Sequence, residues 1–241
     1  MEDLDTTRCR PEFEAGILHD LAWLGLTWPE PVMRQSDRRE AYQSALDRLA
    51  ALGLLYPCRC TRAEIRAALS APQEGAPGPA VYPGTCRGRA LVEAAPGDAL
   101  RLDLAAALAL APGLDWRDLA SDPGRHALKP VEMMREIGDV VLARRDIGVA
   151  YHLAVVVDDA TQGITHVVRG ADLAEATPLH RLLQALLDLP TPLWLHHRLI
   201  RDETGRRLAK RDDARSLAAL RAEGRTPAEI RALLTPETTE R

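Results

Sequence analysis

The chain has 241 residues, 46% of them hydrophobic and 27% charged, a composition typical of a globular protein with a substantial core. No apolar stretch is long enough to cross a bilayer, and the charges throughout the N-terminal region exclude a signal peptide, so we expect a cytoplasmic protein. The net charge of −4 excludes a general electrostatic attraction to nucleic acid.

Two amphipathic helices are predicted near the start of the chain. The segment EAGILHDLAWLGLTW, residues 14–28, carries apolar side chains at helical spacing. The second helix is predicted to follow Ser36, a residue type that favours the N-cap, and to end at Gly53. Its buried face is predicted to comprise Tyr42, Ala45, Leu46 and Leu49.

The next part of the chain is predicted to contain short elements and loops. LLYPCRC, residues 54–60, is predicted to be extended. Thr61 and Glu64 form a capping box, which predicts a short helix over 62–69. The Pro- and Gly-rich residues 71–84 predict a loop.

The rest of the chain predicts alternating strands and helices. ALRLDL predicts a strand, whereas residues 115–139 give no decisive pattern. Further strands are predicted at VVLARRD, AYHLAVVVDD, ITHVVRG and LWLHHRLI. One helix is predicted to begin with Thr177 as its N-cap and Pro178 at the first helical position and to run through Leu187, and others are predicted over 214–222 and from Thr226-Pro227. This order indicates an α/β fold with an open, mostly parallel sheet and a loop-rich insert near 54–128.

Three of the four cysteines lie close to turn-forming residues. Cys58 and Cys60 form a CxC motif, and Cys86 follows Tyr82 by four residues, which makes Tyr82 a candidate fourth ligand. Thiolates that converge at tight turns suit tetrahedral zinc. The spacing alone leaves two alternatives open, a zinc site and three reduced cysteines without metal. Cys9 is predicted to be a lone thiol.

A basic loop, GRRLAKRDDA, places Lys210 before a predicted helix, where a flexible lysine can reach a phosphate group. Residues 198–231 carry ten Lys or Arg against six Asp or Glu. A surface loop with solvated charges also explains this pattern, and the charges taken alone favour that interpretation over a phosphate-binding loop. No GxxxxGK[ST] motif is present, which argues against a P-loop NTPase.

Seven motifs in order resemble one family. They are MEDLDTTRCR, LGLTWPEPVMRQSDRREAY, GLLYPCRCTRAEI, YPGTCR, AYHLAVVVDDATQGITHVVRGADL, TPLHRLLQALL and LAKRDDA. Together they are similar to the glutamyl-Q tRNA(Asp) synthetases, the small paralogues of glutamyl-tRNA synthetase. The resemblance implies a class I synthetase catalytic domain with a Rossmann-like parallel sheet over 1–53 and 129–241, and a zinc-binding insert over 54–128.

The resemblance also implies an activity and its partners. ATP, with Mg²⁺, would activate L-glutamate, and the glutamyl group would pass to queuosine in the anticodon of tRNA(Asp). The family's motifs place glutamate-binding roles on Glu2, Tyr151 and Arg169, and the transition-state-stabilising lysine of the KMSKS-type loop on Lys210. They make Cys58, Cys60, Tyr82 and Cys86 the zinc ligands. A monomer is the expected state, and no membrane is involved.

Two departures from the family pattern are visible. Ala209 replaces a hydroxyl residue in the KMSKS-type loop. No APSPTG-like or HxGH-like segment occurs, so we expect the first strand and the HIGH-type ATP site to be missing and this chain to be inactive in adenylation. Two alternatives are a fragment of a glutamyl-tRNA synthetase and a non-catalytic, zinc-stabilised tRNA-binding remnant.

Overall fold

The computed structural model describes residues 1–5, 9–61, 63–65, 81–144, 148–200 and 216–234. The chain divides into two compact units. The first comprises Met1–Arg34 and Arg198–Arg241, and the second comprises Gln35–His197.

The first unit contains helices α1 (Pro11–Trp23), α7 (Leu217–Ala222) and α8 (Pro227–Leu234). The predicted first helix is confirmed but begins earlier, because Pro11 occupies the first helical turn. It also ends earlier than the predicted 28, since Gly25 adopts a φ of 79° just beyond Leu24. None of the residues of α1 is buried, so its apolar stripe is not a core face in this structure.

The last helix, α8, begins where the sequence predicts. The Thr226 amide donates to Glu229 Oε2 at 2.7 Å, and the Glu229 amide donates to Thr226 Oγ1 at 3.3 Å. This reciprocal pair is a capping box, which satisfies amides that the first turn of a helix leaves without partners. An ion pair between Arg221 and Asp20 joins α7 to α1.

The second unit contains two four-stranded sheets. The first sheet is antiparallel, in the order β1 (Leu55–Cys58), β2 (Ala99–Leu102), β5 (Val141–Arg144), β6 (Gly148–Val149). The second has the order β4 (Gly124–Ala127), β3 (Asp115–Asp118), β8 (Leu193–His197), β7 (His166–Gly170). In it β3, β8 and β7 are parallel and β4 is antiparallel to β3. The helices are α2 (Arg39–Ala51), α3 (Leu104–Leu110), α4 (Pro130–Glu136), α5 (Tyr151–Thr161) and α6 (Thr177–Leu186).

These sheets confirm the predicted α/β class. Within the part of the chain that the structure describes, the parallel strands are β3, β8 and β7. Residues 115–139, which the sequence left unassigned, form the β3–β4 hairpin and α4. Each sheet contains strands that precede residue 128 and strands that follow it. The sheets therefore do not mark the predicted domain boundary at residue 128. The division into an insert over 54–128 and flanking catalytic parts stays a prediction.

One predicted strand, AYHLAVVVDD, is wrong, because these residues lie in helix α5. Its buried residues include Leu153, Ala154, Val157 and Asp158, which share one helical face. The β-branched run is typical of strands, but packing of α5 against α2 and α6 overrides that local preference. A short apolar run does not by itself distinguish the two structures.

The predicted buried face of α2 is confirmed, since Tyr42, Ala45, Leu46 and Leu49 are buried. The predicted N-cap is wrong: Ser36 lies in a 3₁₀ turn, and α2 begins after Arg38. That turn brings polar side chains onto the buried Asp158 of α5. Gln35 Nε2 donates to its Oδ2 at 3.0 Å, Arg38 Nε to its Oδ1 at 2.7 Å, and the Tyr42 hydroxyl to its Oδ2 at 2.8 Å.

Replacing Asp158 by asparagine should lower the free energy of unfolding by about 3 kcal/mol or more, because Arg38 then loses its buried counter-charge. Guanidinium denaturation of the purified chain measures this. Asp47→Asn is the matched control, since Asp47 is an exposed residue of α2 and its loss should cost less than about 0.5 kcal/mol. Equal denaturation midpoints for the two variants would contradict the prediction.

Among the described residues, no helix has the length and apolar character of a membrane span.

Candidate active site and metal centre

A cluster of thiols lies at the end of β1. Cys58 ends that strand and Cys60 follows it, while Tyr82 and Cys86 come from the turn before β2. The three sulfur atoms all lie within 4.8 Å of one another. The Tyr82 hydroxyl is 3.4 Å from Cys58 Sγ and 3.5 Å from Cys60 Sγ. The structure therefore brings together the four side chains that the sequence singled out.

This donor set fits zinc. Tetrahedral coordination with Zn–S bonds of about 2.3 Å places neighbouring sulfur atoms about 3.8 Å apart. Cys60 Sγ and Cys86 Sγ are 3.5 Å apart, close to that requirement without large rearrangement. Cys58 and Cys86 are buried, so the centre would be shielded from water. The cysteine cluster could therefore hold a metal ion, and three soft thiolates favour zinc among the common ones.

The groups around Tyr82 act on the charge of the cluster in opposite directions. The Cys86 amide donates to the Tyr82 hydroxyl at 2.9 Å, and the Arg101 guanidinium lies 3.8 Å from the centre of the ring. Burial and the neighbouring thiols raise the pKa of Tyr82. Burial also raises the pKa of Cys86, but hydrogen bonds from Tyr82 and the Arg59 amide outweigh it and lower that pKa to about 7.

A second polar cluster surrounds Arg169, the next-to-last residue of β7. Its three guanidinium nitrogens each contact a different neutral acceptor. Nε donates to His196 Nε2 at 3.1 Å, Nη1 to His180 Nδ1 at 3.0 Å, and Nη2 to Thr177 Oγ1 at 2.7 Å. These contacts fix the plane of the guanidinium, and a fixed fork of N–H groups is suited to a carboxylate.

The cluster continues on both sides of Arg169. His196 Nδ1 hydrogen-bonds to the carboxylate of Asp118, the last residue of β3. On the other side, His180 Nε2 and His152 Nδ1 are 3.0 Å apart. Asp118, Thr177, His180 and His196 are all buried. Asp118, His196 and Arg169 thus lie at the carboxyl ends of three neighbouring parallel strands, where open α/β sheets bind their ligands.

Tyr151 borders this cluster at the start of α5. Its ring centre is 5.9 Å from that of His180 and 5.5 Å from that of His152. Burial lowers the pKa of Arg169, and the hydrogen bond with Tyr151 acts in the opposite direction. The structure thus brings Tyr151 and Arg169 together, as their predicted shared role requires.

Two further residues, Glu2 and Lys210, were predicted to bind the substrates. Glu2 belongs to the first unit and is exposed there. Lys210 and the altered Ala209 lie outside the described residues, as do most of 62–69 and 71–84. The capping box of Thr61 and Glu64 is nevertheless present, with the Thr61 amide 2.7 Å from Glu64 Oε2.

Sequence reasoning missed Asp118, His196, His180 and the true role of Thr177. Thr177 was predicted to cap α6, but it is the first residue of that helix and its hydroxyl contacts Arg169 instead. An available signal was His196, which follows the apolar run LWL, whereas Asp118 ends the polar strand DWRD and gave no such signal. Such signals gain meaning only when the strands are known to be neighbours.

The buried histidines predict an acid-sensitive stability. Burial, followed by the charge of Arg169, lowers the pKa of His180 from 6.5 to about 2. Below pH 6.5 the unfolded chain binds a proton that the folded chain does not, so stability falls as the pH falls. Between pH 7 and pH 5 this histidine should cost about 2 kcal/mol of unfolding free energy.

The unfolding free energy of His180→Gln, measured by denaturation at each pH, should therefore fall by about 2 kcal/mol less between pH 7 and pH 5 than that of the unmodified chain. His19→Gln serves as the control, because His19 is exposed in α1 and its loss should leave the slope unchanged. Identical slopes of unfolding free energy against pH for the His180 variant and the unmodified chain would contradict the prediction.

Comparison with known proteins places this chain in a family. The sequence model described as "tRNA synthetases class I (E and Q), catalytic domain" matches residues 1–98 and 119–236. A glutamyl-Q tRNA(Asp) synthetase of Rhodobacter capsulatus is 54% identical over 97% of this chain and 86% of its own length. The chain belongs to the glutamyl-Q tRNA(Asp) synthetase family. It is therefore a member of a ligase family related to the class I aminoacyl-tRNA synthetases.

Other members of this family and solved structures agree. The glutamyl-Q tRNA(Asp) synthetase of Geobacter sulfurreducens is 44% identical over 91% of this chain and 66% of its own length. The structure of a glutamate tRNA ligase from Elizabethkingia meningosepticum, in complex with its amino acid, matches 98% of this chain with a TM-score of 0.73 and 24% identity. This chain spans 53% of that protein, and the likeness shows the shared fold alone. The predicted class I synthetase fold is confirmed.

Proposed function

We propose that this chain binds L-glutamate for activation by ATP and for transfer of the glutamyl group to queuosine in the anticodon of tRNA(Asp), and that the adenylation step requires a HIGH-type segment, which the sequence does not contain. The observation that carries the proposal is the fixed guanidinium of Arg169 at the carboxyl ends of the parallel strands. The names of the chain's close relatives supply the acceptor, tRNA(Asp), and the group transferred.

The charge of Arg169 supports an anionic substrate. The side chains that hold its three nitrogens, His180, His196 and Thr177, are neutral in the hydrogen-bonding pattern described above. A partly buried cation whose described hydrogen-bond partners are uncharged gains most from a ligand that supplies a carboxylate. The side-chain carboxylate of glutamate has the right charge and a planar pair of oxygens, and Tyr151 borders the same space.

The remaining steps are assigned to residues outside this cluster. Glu2 would hold the ammonium group of glutamate through its carboxylate. The α-carboxylate of glutamate then attacks the α-phosphate of Mg²⁺-bound ATP, which forms glutamyl-adenylate and releases pyrophosphate. Lys210 would stabilise the negative charge that develops on the phosphate oxygens. A hydroxyl of queuosine finally attacks the activated carbonyl, and AMP leaves.

Cys58, Cys60, Tyr82 and Cys86 are proposed to hold a structural zinc ion. Four protein ligands complete a tetrahedral site and leave no open position, which is typical of structural rather than catalytic zinc. When bound, zinc would fix the CxC motif and the turn that carries Tyr82. We further expect the chain to act as a monomer in the cytoplasm.

The experiment is ATP–pyrophosphate exchange with L-glutamate and no tRNA, with L-aspartate as the control substrate. Because no HxGH-like segment occurs in the sequence, the assay is run on this chain and on the chain preceded by the N-terminal residues of the Rhodobacter capsulatus relative. We expect exchange by the extended version with L-glutamate alone. Exchange by neither version, with salt-dependent tRNA binding, would favour the non-catalytic tRNA-binding alternative.

A second assay tests the acceptor. Labelled glutamate should appear on tRNA(Asp) that carries queuosine and not on the same tRNA with unmodified guanosine. Nuclease digestion should then recover the label in the anticodon fragment. Recovery at the 3′ end would contradict the proposed acceptor and favour the glutamyl-tRNA synthetase alternative.

A further inference from the structure

We propose that Asp118 is a positioning residue for glutamate binding, and that it acts by selecting the tautomer of His196 that accepts a hydrogen bond from Arg169. This inference rests on the proposed role of Arg169 in holding glutamate. None of the family motifs in the sequence includes Asp118, and it lies outside the direct contacts of Arg169.

The hydrogen-bond directions determine the tautomer. Arg169 Nε always carries a proton, so His196 Nε2 must be the acceptor in their 3.1 Å contact. A neutral imidazole that accepts at Nε2 carries its proton on Nδ1, and that proton points at the Asp118 carboxylate. The Thr177 hydroxyl, 3.2 Å from the same Nε2, contacts Arg169 Nη2 as well. The carboxylate thus ensures that the nitrogen of His196 that faces the guanidinium carries no proton.

The orientation of the Asp118 carboxylate is itself fixed. The Ala120 amide donates to Oδ1 at 2.8 Å, which leaves Oδ2 facing His196 Nδ1. The Ser121 hydroxyl lies 3.4 Å from Oδ2. Asp118 and His196 are both buried, so water is excluded from exchanging with these bonds. The network therefore has one consistent arrangement of protons from β3 to β7.

An asparagine at position 118 would reverse this arrangement without changing the volume. The Ala120 amide needs an acceptor, so the amide oxygen of asparagine would stay at the Oδ1 position and its NH₂ group would face His196 Nδ1. His196 would then carry its proton on Nε2, directly against Arg169 Nε–H. Two donors would meet, and the guanidinium would turn away from the orientation that binds a carboxylate.

The test uses ¹⁵N-histidine-labelled full chain and its Asp118→Asn variant. Long-range ¹H–¹⁵N spectra report the tautomer of His196, and equilibrium dialysis with labelled L-glutamate reports affinity. We expect the Nδ1–H tautomer in the unmodified chain and the Nε2–H tautomer in the variant. Glutamate affinity should fall about 10-fold or more. Asp115→Asn, in the same strand but paired with the exposed Arg125, is the matched control and should change neither quantity.

Two His196 variants keep the proposal testable if Asp118→Asn does not fold. His196→Gln can accept from Arg169 with its oxygen and donate to Asp118 with its nitrogen, so it should bind glutamate within about 3-fold of the unmodified chain. His196→Leu offers neither bond and should lose about 10-fold or more. Equal glutamate affinities for these two variants would overturn the proposal that Asp118 acts on Arg169 through His196.

The outcomes separate this inference from the proposed function. An unchanged tautomer in Asp118→Asn, or a changed tautomer with unchanged glutamate affinity, would overturn the inference and leave the proposed function standing. An unmodified chain that shows the Nδ1–H tautomer but binds no glutamate would overturn the proposed function, and with it the role of Asp118.

Discussion

Replacing Arg169 by lysine is expected to weaken L-glutamate binding by about 100-fold, because two charge-assisted hydrogen bonds to the substrate carboxylate are lost. Lysine keeps the positive charge, but a single ammonium does not reproduce the planar fork of the guanidinium. It also loses the set of contacts with His196, His180 and Thr177 that fixes the side chain. Equilibrium dialysis with labelled glutamate measures the effect, and ATP binding measured in parallel should change little.

The matched control for this prediction is Arg117→Lys. Arg117 is an exposed residue of β3, one position before Asp118, so its replacement should leave glutamate affinity unchanged. A normal thermal melting curve for Arg169→Lys establishes that the variant folds. If the folded variant bound glutamate as tightly as the unmodified chain, Arg169 would have no part in recognising the carboxylate.

Removing zinc should unfold the structure around the cysteine cluster. Apparent binding energies of about 10–16 kcal/mol in small structural zinc sites are comparable with the total stability of a domain, roughly 5–15 kcal/mol. The proposed ligands belong to the end of β1 and to the turn over 81–88, which are far apart in sequence. With a chelator, amide hydrogen exchange should rise across residues 54–65 and 81–98, and proteolysis should concentrate within 54–128.

Metal content provides the control. Cys86→Ser should reduce zinc from about one atom per chain to a small fraction, because a hydroxyl is a much weaker zinc ligand than a thiolate. Cys9→Ser should retain the metal, since Cys9 is exposed and lies in the other unit. Zinc-containing protein whose exchange pattern is the same with and without chelator would show that the metal does not support this part of the fold.

Local chemistry made several elements predictable. The capping box of Thr226 and Glu229 begins α8 where the sequence indicates, because both bonding partners lie within one helical turn. The turn residue Gly53 follows α2 with a φ of 72°, a conformation that glycine adopts at little cost. The CxC motif and its tyrosine could be singled out for the same reason, since tight turns limit where their side chains can point.

The same local reasoning was insufficient for α5 and for Ser36. The valines of α5 favour a strand by intrinsic preference, and only its packing between α2 and α6 makes the helix the better solution. Ser36 is a good cap by residue type, but the 3₁₀ turn before α2 is shaped by bonds from Gln35 and Arg38 to Asp158, more than a hundred positions away.

The sequence by itself thus determined the family, the element types that depend on turn and cap residues, and the four side chains that meet in the cysteine cluster. Only the tertiary structure decided that Asp118 and His196 join Arg169, because these residues come from three strands separated by up to 78 positions. No local sequence pattern predicts that these three residues lie in one cluster. That cluster arises from the parallel alignment of β3, β8 and β7, which brings the carboxyl ends of all three strands to one edge of the sheet.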